Sequence, residues 1–227
     1  MKKIVTLVLF ISCFAYAVCQ NKQDYFISDI PKTIITNKPT FLNVTDTINK
    51  GRRFRPVSDL LGGLSPVYPM AESVENDIHI YSNISIDFLR FLCTLGCQFV
   101  NLLVEVNDTI IEISSKEKFR EIFAPVESKE EALSFAYALS GVFYAKAIYD
   151  FSFLKEKGTD YEVFRKEIKP TSVRELTDGY EVILFSTYYG HTAYCSELLL
   201  FVSKEGNVKI LKRERLFHDK KFDIIIN

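Results

Sequence analysis

Residues 185–197 run Phe185-Ser-Thr-Tyr-Tyr-Gly-His-Thr-Ala-Tyr-Cys-Ser-Glu197 and gather an imidazole, a thiol, three phenols and several hydroxyls into thirteen positions. Such a stretch is either a thiol–imidazole active site or the two arms and bend of a β-hairpin. In the first case Cys195 is the nucleophile and His191 its base. Four residues of extended chain span roughly 13 Å, however, and a bend at Gly190-His191 sets Cys195 beside Tyr188 or its neighbours on the opposite arm, away from the imidazole. No third group is spaced to orient the base. A hairpin is therefore expected, with Gly190-His191 as its bend and the flanking tyrosines paired across the strands. Loops at sheet ends carry recognition, and tyrosine supplies contact area at low entropic cost. Tyr188, Tyr189, His191 and Tyr194 are accordingly the expected ligand or partner surface.

With this hairpin in place, the back half of the chain falls into strands. Val173–Leu176 leads to a turn at Asp178-Gly179, Tyr180–Tyr188 and Ala193–Ser203 form the arms, and Glu205-Gly206-Asn207 turns the chain into a strand from Val208 to about Phe217. Ahead of them stands the strongest helix signal. Ser128 can accept from the amide of Glu131 while the Glu131 carboxylate reaches back to the amide of Ser128, a reciprocal capping box, and Glu130 and Glu131 lie at the positive end of the helix dipole. Leu133, Ala136, Tyr137 and Ser140 share one stripe, with Phe135, Leu139 and Val142 on the next, so a wide face is apolar or small. That helix is expected on a sheet, ending near Gly141 or continuing to about Ala147. Residues 149–169 are aromatic and charged without a clear period.

Towards the N-terminus, Ile78, Ile80, Ile84, Ile86 and Phe88 alternate as in a half-buried strand. Phe99–Val106 and Thr109–Ile113 flank Asn107-Asp108, two residue types that tolerate the left-handed backbone of a tight hairpin turn. A short helix from Lys116 to about Phe123 stops before Pro125. The fold class is thus α+β: an antiparallel meander sheet packed on one main helix, with an additional N-terminal hairpin, over residues 77–227. Residues 18–76, with prolines at 31, 39, 56, 66 and 69, look like a tail and a loosely structured lead-in that adds at most one or two edge strands.

The opening residues, Met1 to Gln20, carry two lysines, an apolar run from Ile4 and the small-x-small triplet Ala15-Tyr16-Ala17, the pattern of an export signal cut after residue 17. The run stops short of the roughly 20 residues a membrane-spanning helix needs. Cys13 and Cys19 are candidates for lipidation: Phe10-Ile11-Ser12 before Cys13 resembles a lipobox, and polar Gln-Asn-Lys follows Cys19. Free export stands ahead of anchoring, because one acyl chain holds a membrane weakly. The protein is expected to be exported, to the periplasm, the envelope or the medium, touching a membrane only through such an anchor.

The formal charge is −1, or −3 once Lys2 and Lys3 leave with the leader, so no broad basic surface exists to draw nucleic acid. Nineteen Phe and twelve Tyr with no Trp point to an aromatic, strand-rich core. In an oxidising compartment Cys93, Cys97 and Cys195 are disulfide candidates. Cys93-Thr-Leu-Gly-Cys97 suits a tight hairpin with facing thiols, while Cys195 is either unpaired or partnered with one of the two. The spacing lacks the second Cys or His pair of a zinc site. No H-E-x-x-H, G-x-S-x-G, G-x-G-x-x-G or P-loop occurs, and no metal or cofactor is expected.

Ser128-Lys-Glu-Glu-Ala-Leu-Ser-Phe-Ala136, with Gly179-Tyr-Glu-Val182 and the segment Leu200–Lys209, resembles the helix-then-meander of PepSY-type, cystatin-like small domains, over about residues 125–217. The resemblance implies a binding or inhibitory role. Some thirty residues, from about 142 to 172, separate helix and strands here, unlike the family pattern, and the Asn107-Asp108 hairpin has no counterpart there. The chain is otherwise like exported bacterial proteins of unknown role. The expected function is a non-enzymatic binding or accessory module that meets an envelope or extracellular protein or ligand. The alternatives are an enzyme with a dispersed site near Cys195 and His191, and a structural envelope component.

Overall fold

The computed structural model describes residues 26–27, 33–44, 53–75, 90–93, 97–142, 145–156, 160–189 and 193–222. Strands β1 (Phe26–Ile27), β2 (Arg53–Arg55) and β3 (Met70–Glu75) precede β4 (Arg90–Cys93), β5 (Cys97–Val106) and β6 (Thr109–Ile113). Helices α1 (Lys116–Phe123) and α2 (Lys129–Leu139) follow, then β7 (Ala145–Lys146), the single turn α3 (Phe153–Glu156), β8 (Tyr161–Val163) and β9 (Glu167–Ile168). The chain then runs through β10 (Ser172–Leu176), β11 (Gly179–Tyr189), β12 (Ala193–Ser203) and β13 (Val208–Asp219).

The last four strands form an antiparallel meander, β10-β11-β12-β13, which β8 extends beyond β13 and β7 joins at β11. The α+β class and the meander agree with the sequence reading. A second antiparallel sheet has the order β2-β3-β5-β4, with β6 on β5. Its β5–β6 hairpin turns at Asn107 (φ 51°) and Asp108 (φ 60°), both in the left-handed region that a two-residue turn requires. The alternating segment 78–88 lies outside the described residues, as do the leader 1–17 and Cys13 and Cys19. No helix among the described residues is long and apolar enough to cross a membrane.

Helix α2 begins as its capping box dictates. Ser128 Oγ accepts from the Glu131 amide at 3.1 Å, and Glu131 Oε2 accepts from the Ser128 amide at 2.8 Å. The helix ends at Leu139, and Gly141 at φ 64° leads the chain away. Ser128→Ala is expected to cost about 1 kcal/mol by removing the cap, measured as a lower urea midpoint at unchanged slope.

One core joins the helices to both sheets. Phe135 and Leu139 of α2 and Phe119 and Phe123 of α1 cluster with Val182, Leu184, Leu198 and Leu200 of the meander, and with Met70, Val104 and Ile113 of the other sheet. The Phe119 ring lies 4.9 Å from Phe123 and meets Phe135 edge-on at 5.1 Å.

The stretch 53–75, expected as part of a loose lead-in, enters this same core. Val57, Leu61, Leu64 and Met70 are all buried in it. Ser134, buried in the middle of α2, donates from Oγ to the Leu60 carbonyl at 2.7 Å and accepts from the Gly63 amide at 3.2 Å. A Cβ at Gly63 would stand 2.2 Å from the Glu130 carbonyl oxygen, so only glycine lets the loop lie this close to the helix. Proline-rich loops bury their apolar residues without the alternation of a strand, which is why periodicity overlooked them.

The meander is covered on its other face too. Phe151, Leu154, Ile168, Phe185, Leu216 and Phe217 form a second cluster with Cys195. Because strand side chains alternate, β11 sends Val182 and Leu184 towards α2 and Ile183 and Phe185 into this second layer. The segment 149–169, aperiodic in sequence, supplies most of the covering side of that layer.

Candidate functional site

The two arms of the 185–197 stretch pair as β11 and β12, with Tyr189 opposite Ala193, Tyr188 opposite Tyr194 and Thr187 opposite Cys195. The structure describes the backbone of Tyr188 and Tyr189, while Gly190, His191 and Thr192 lie outside the described residues. Beyond β12, Tyr194 lies opposite His218 and Cys195 opposite Phe217. A bulge between Cys195 and Ser196 then inserts Leu216 into β13, so that Leu216, Phe217 and His218 are buried in succession. A strict two-residue period could not foresee this.

Of the expected recognition residues only Tyr194 has its side chain described, and the sheet at this end has two faces. On one, the half-buried Tyr194 ring stacks on His218 with centroids 4.8 Å apart, the Arg215 guanidinium lies 4.4 Å above it, and Phe164 approaches at 6.4 Å. His218 Nδ1 is 3.7 Å from the Glu162 carboxylate. Tyr194 is thus held between ring and cation neighbours.

On the other face a cavity of about 140 Å³ opens. Its floor crosses three strands at Thr187, Cys195 and Phe217, with Ala193 and Asp219 in the next row, and Tyr194, whose ring packs on the first face, also borders it. Phe153 forms a wall, edge-on to Phe217 at 5.8 Å and to Tyr161 at 5.5 Å, and Lys146 enters from β7 beside Phe185. Lys146 comes from a short strand where the sequence reading let the helix continue to about Ala147, and Phe153 and Tyr161 come from the aperiodic segment 149–169. The one signal they offered there was aromatic density without period.

Cys195 is 1% exposed. Burial among aromatic rings pushes its thiol up to about 12; the nearby Lys146 charge pulls the other way, and Glu197 adds to the rise. At neutral pH the sulphur is a protonated, apolar part of the floor, the opposite of a poised nucleophile. It is a free thiol. The other two disulfide candidates, Cys93 and Cys97, stand directly opposite each other where β4 meets β5. Such a pair has Cα atoms about 4.5–5.5 Å apart, within the span a disulfide bridges.

Charge around the cavity is unevenly committed. Arg165 bonds Glu197 at 2.7 Å and lies 3.3 Å from Glu214. Asp219 Oδ1 accepts from the Lys221 amide at 3.2 Å. Lys146 has no ion-pair partner among the described residues, and no group of His, Cys, Asp and Glu there could hold a metal ion. No protein-family model, no curated protein and no solved structure matches the chain.

Proposed function

We propose that this is an exported, non-enzymatic α+β binding module of the cell envelope or medium, which receives a small ligand in the cavity beside the 185–197 hairpin. The observation that carries this reading is the cavity itself: a small recess that sets the rings of Phe153, Tyr161 and Phe217 beside the polar groups of Lys146, Thr187 and Asp219. Its one sulphur is buried and protonated. That argues against the thiol enzyme, which would need an exposed, ionised Cys195. Export is supported by the leader sequence, and a Cys93–Cys97 disulfide would suit the same compartment.

Three ring-sized probes of differing charge, benzyl alcohol, benzoate and benzylamine, test the cavity by ligand-observed NMR on the full chain. At least one is expected to bind wild type, and Thr187→Phe, which fills the floor while keeping a good strand former, is expected to abolish the signal. Silence from all three probes, or binding that Thr187→Phe leaves intact, overturns the reading. Mass spectrometry of the natural product tests export. A chain beginning at Val18, or a lipidated cysteine, is expected, and recovery from the cytosol with Met1 attached refutes it.

A further inference from the structure

We infer that the cavity takes a small monocarboxylate of about one ring's size, its carboxylate on the Lys146 ammonium and the Thr187 hydroxyl, its apolar body on Phe153 and Phe217. This rests on the cavity being a ligand site, and it names the class of ligand.

Size sets the first limit. The cavity is about 140 Å³, and an apolar cavity of about 150 Å³ holds benzene, so one six-membered ring or a branched chain of similar bulk fits. Phe153, Phe217 and Tyr161 meet edge-on around it and present apolar surface to such a body.

Charge sets the second. Lys146 is half-buried, is without an ion-pair partner among the described residues, and acts electrostatically on the Cys195 thiol in the cavity floor. Its side chain is part of the cavity lining. Glu197, two strands over, is bonded to Arg165 through Oε1, while its buried Oε2 has no hydrogen-bond partner and makes no ion pair with Lys146. A half-buried lysine and a threonine hydroxyl lining the same cavity favour an incoming anion, since charge-assisted hydrogen bonds are about twice as strong as neutral ones.

Asp219 sets the third. It stands on β13, three strand spacings across the sheet from β7 and four residues further along the strands, so it lies at the opposite end of the recess from Lys146. A second negative charge on the ligand would meet it at the far rim. One carboxylate, placed at the Lys146 end, satisfies both poles.

Isothermal titration of the full chain with benzoate, benzyl alcohol and benzylamine decides the matter. Benzoate is expected to bind about tenfold or more tightly than benzyl alcohol, the scale of one charge-assisted hydrogen bond, with benzylamine weakest. Its advantage is expected to shrink as salt is raised. Lys146→Met should bring benzoate down to the level of the alcohol, and Lys146→Arg should restore most of the difference. Benzoate binding no tighter than benzyl alcohol, or equally tight in Lys146→Met, overturns the carboxylate inference while leaving a ligand site in place. If none of the three binds, the ligand site itself falls and the inference with it.

Discussion

Phe135→Ala is expected to destabilise the protein by about 3–5 kcal/mol, and Phe185→Ala by an amount in the same range, each read from the urea midpoint. Both rings are wholly buried, on opposite faces of one sheet. Phe135 lies edge-on to Phe119 and also covers the turn between β12 and β13, where Gly206 at φ 79° has room for no side chain: a Cβ there would stand 2.5 Å from the Phe135 ring. Its loss would open a void at the junction of α1, α2 and that turn. Phe185 meets Phe151 edge-on at 5.2 Å, and its loss would separate β11 from the layer that carries the cavity wall. Against a typical stability of about 5–15 kcal/mol, either change takes a large share. The pair is diagnostic because a loose insertion at 145–168 would leave Phe185 nearly at the surface. Its truncation would then cost under about 0.5 kcal/mol, as exposed substitutions do, and the two-sided sheet would be refuted.

What could be read from the sequence follows the reach of each physical rule. Caps and turns act within four residues, so Ser128 with Glu131 and Asn107-Asp108 place their elements within a residue or two. The meander was legible for the same reason, since short turns force neighbouring strands to pair. Nothing local, however, tells a chain which loop will lie against a helix seventy residues away. The Ser134 bonds to Leu60 and Gly63 are invisible until the fold is known. The candidate site suffered most. The hairpin that drew attention supplies Thr187, Tyr194 and Cys195, but the cavity needs Lys146, Phe153 and Tyr161 from a two-residue strand, one helical turn and a three-residue strand. Elements that short have no period to detect, and burial on the second face of the sheet gives them their order.

Cys195 provides the sharpest contrast between folded and unfolded chain. Its thiol, ordinarily at 9.0, is held at about 12 by burial, so at a given pH below 9 the folded protein carries about a thousandfold less thiolate than the unfolded chain. Alkylation by iodoacetamide at pH 8, followed on the peptide containing Cys195, is expected to be slower in the native protein by at least about that factor, and slower again for want of access. Stability should follow suit. Between about pH 9 and 12 the unfolded chain has released the thiol proton while the native protein still holds it, so fewer protons are bound on unfolding and stability falls as pH rises. The slope from this group approaches about 1.4 kcal/mol per pH unit. The stabilisation is complete below pH 9 and lost as pH climbs through 12. Tyr180 is also raised by burial, but it is common to wild type and Cys195→Ala, so the difference between their pH profiles isolates the thiol. Wild type is expected to lose its advantage over Cys195→Ala across that interval. Parallel profiles, or a native thiol that reacts within minutes at pH 8, would mean that the sulphur is ionised and accessible, and the case for thiol chemistry at the 185–197 hairpin would return.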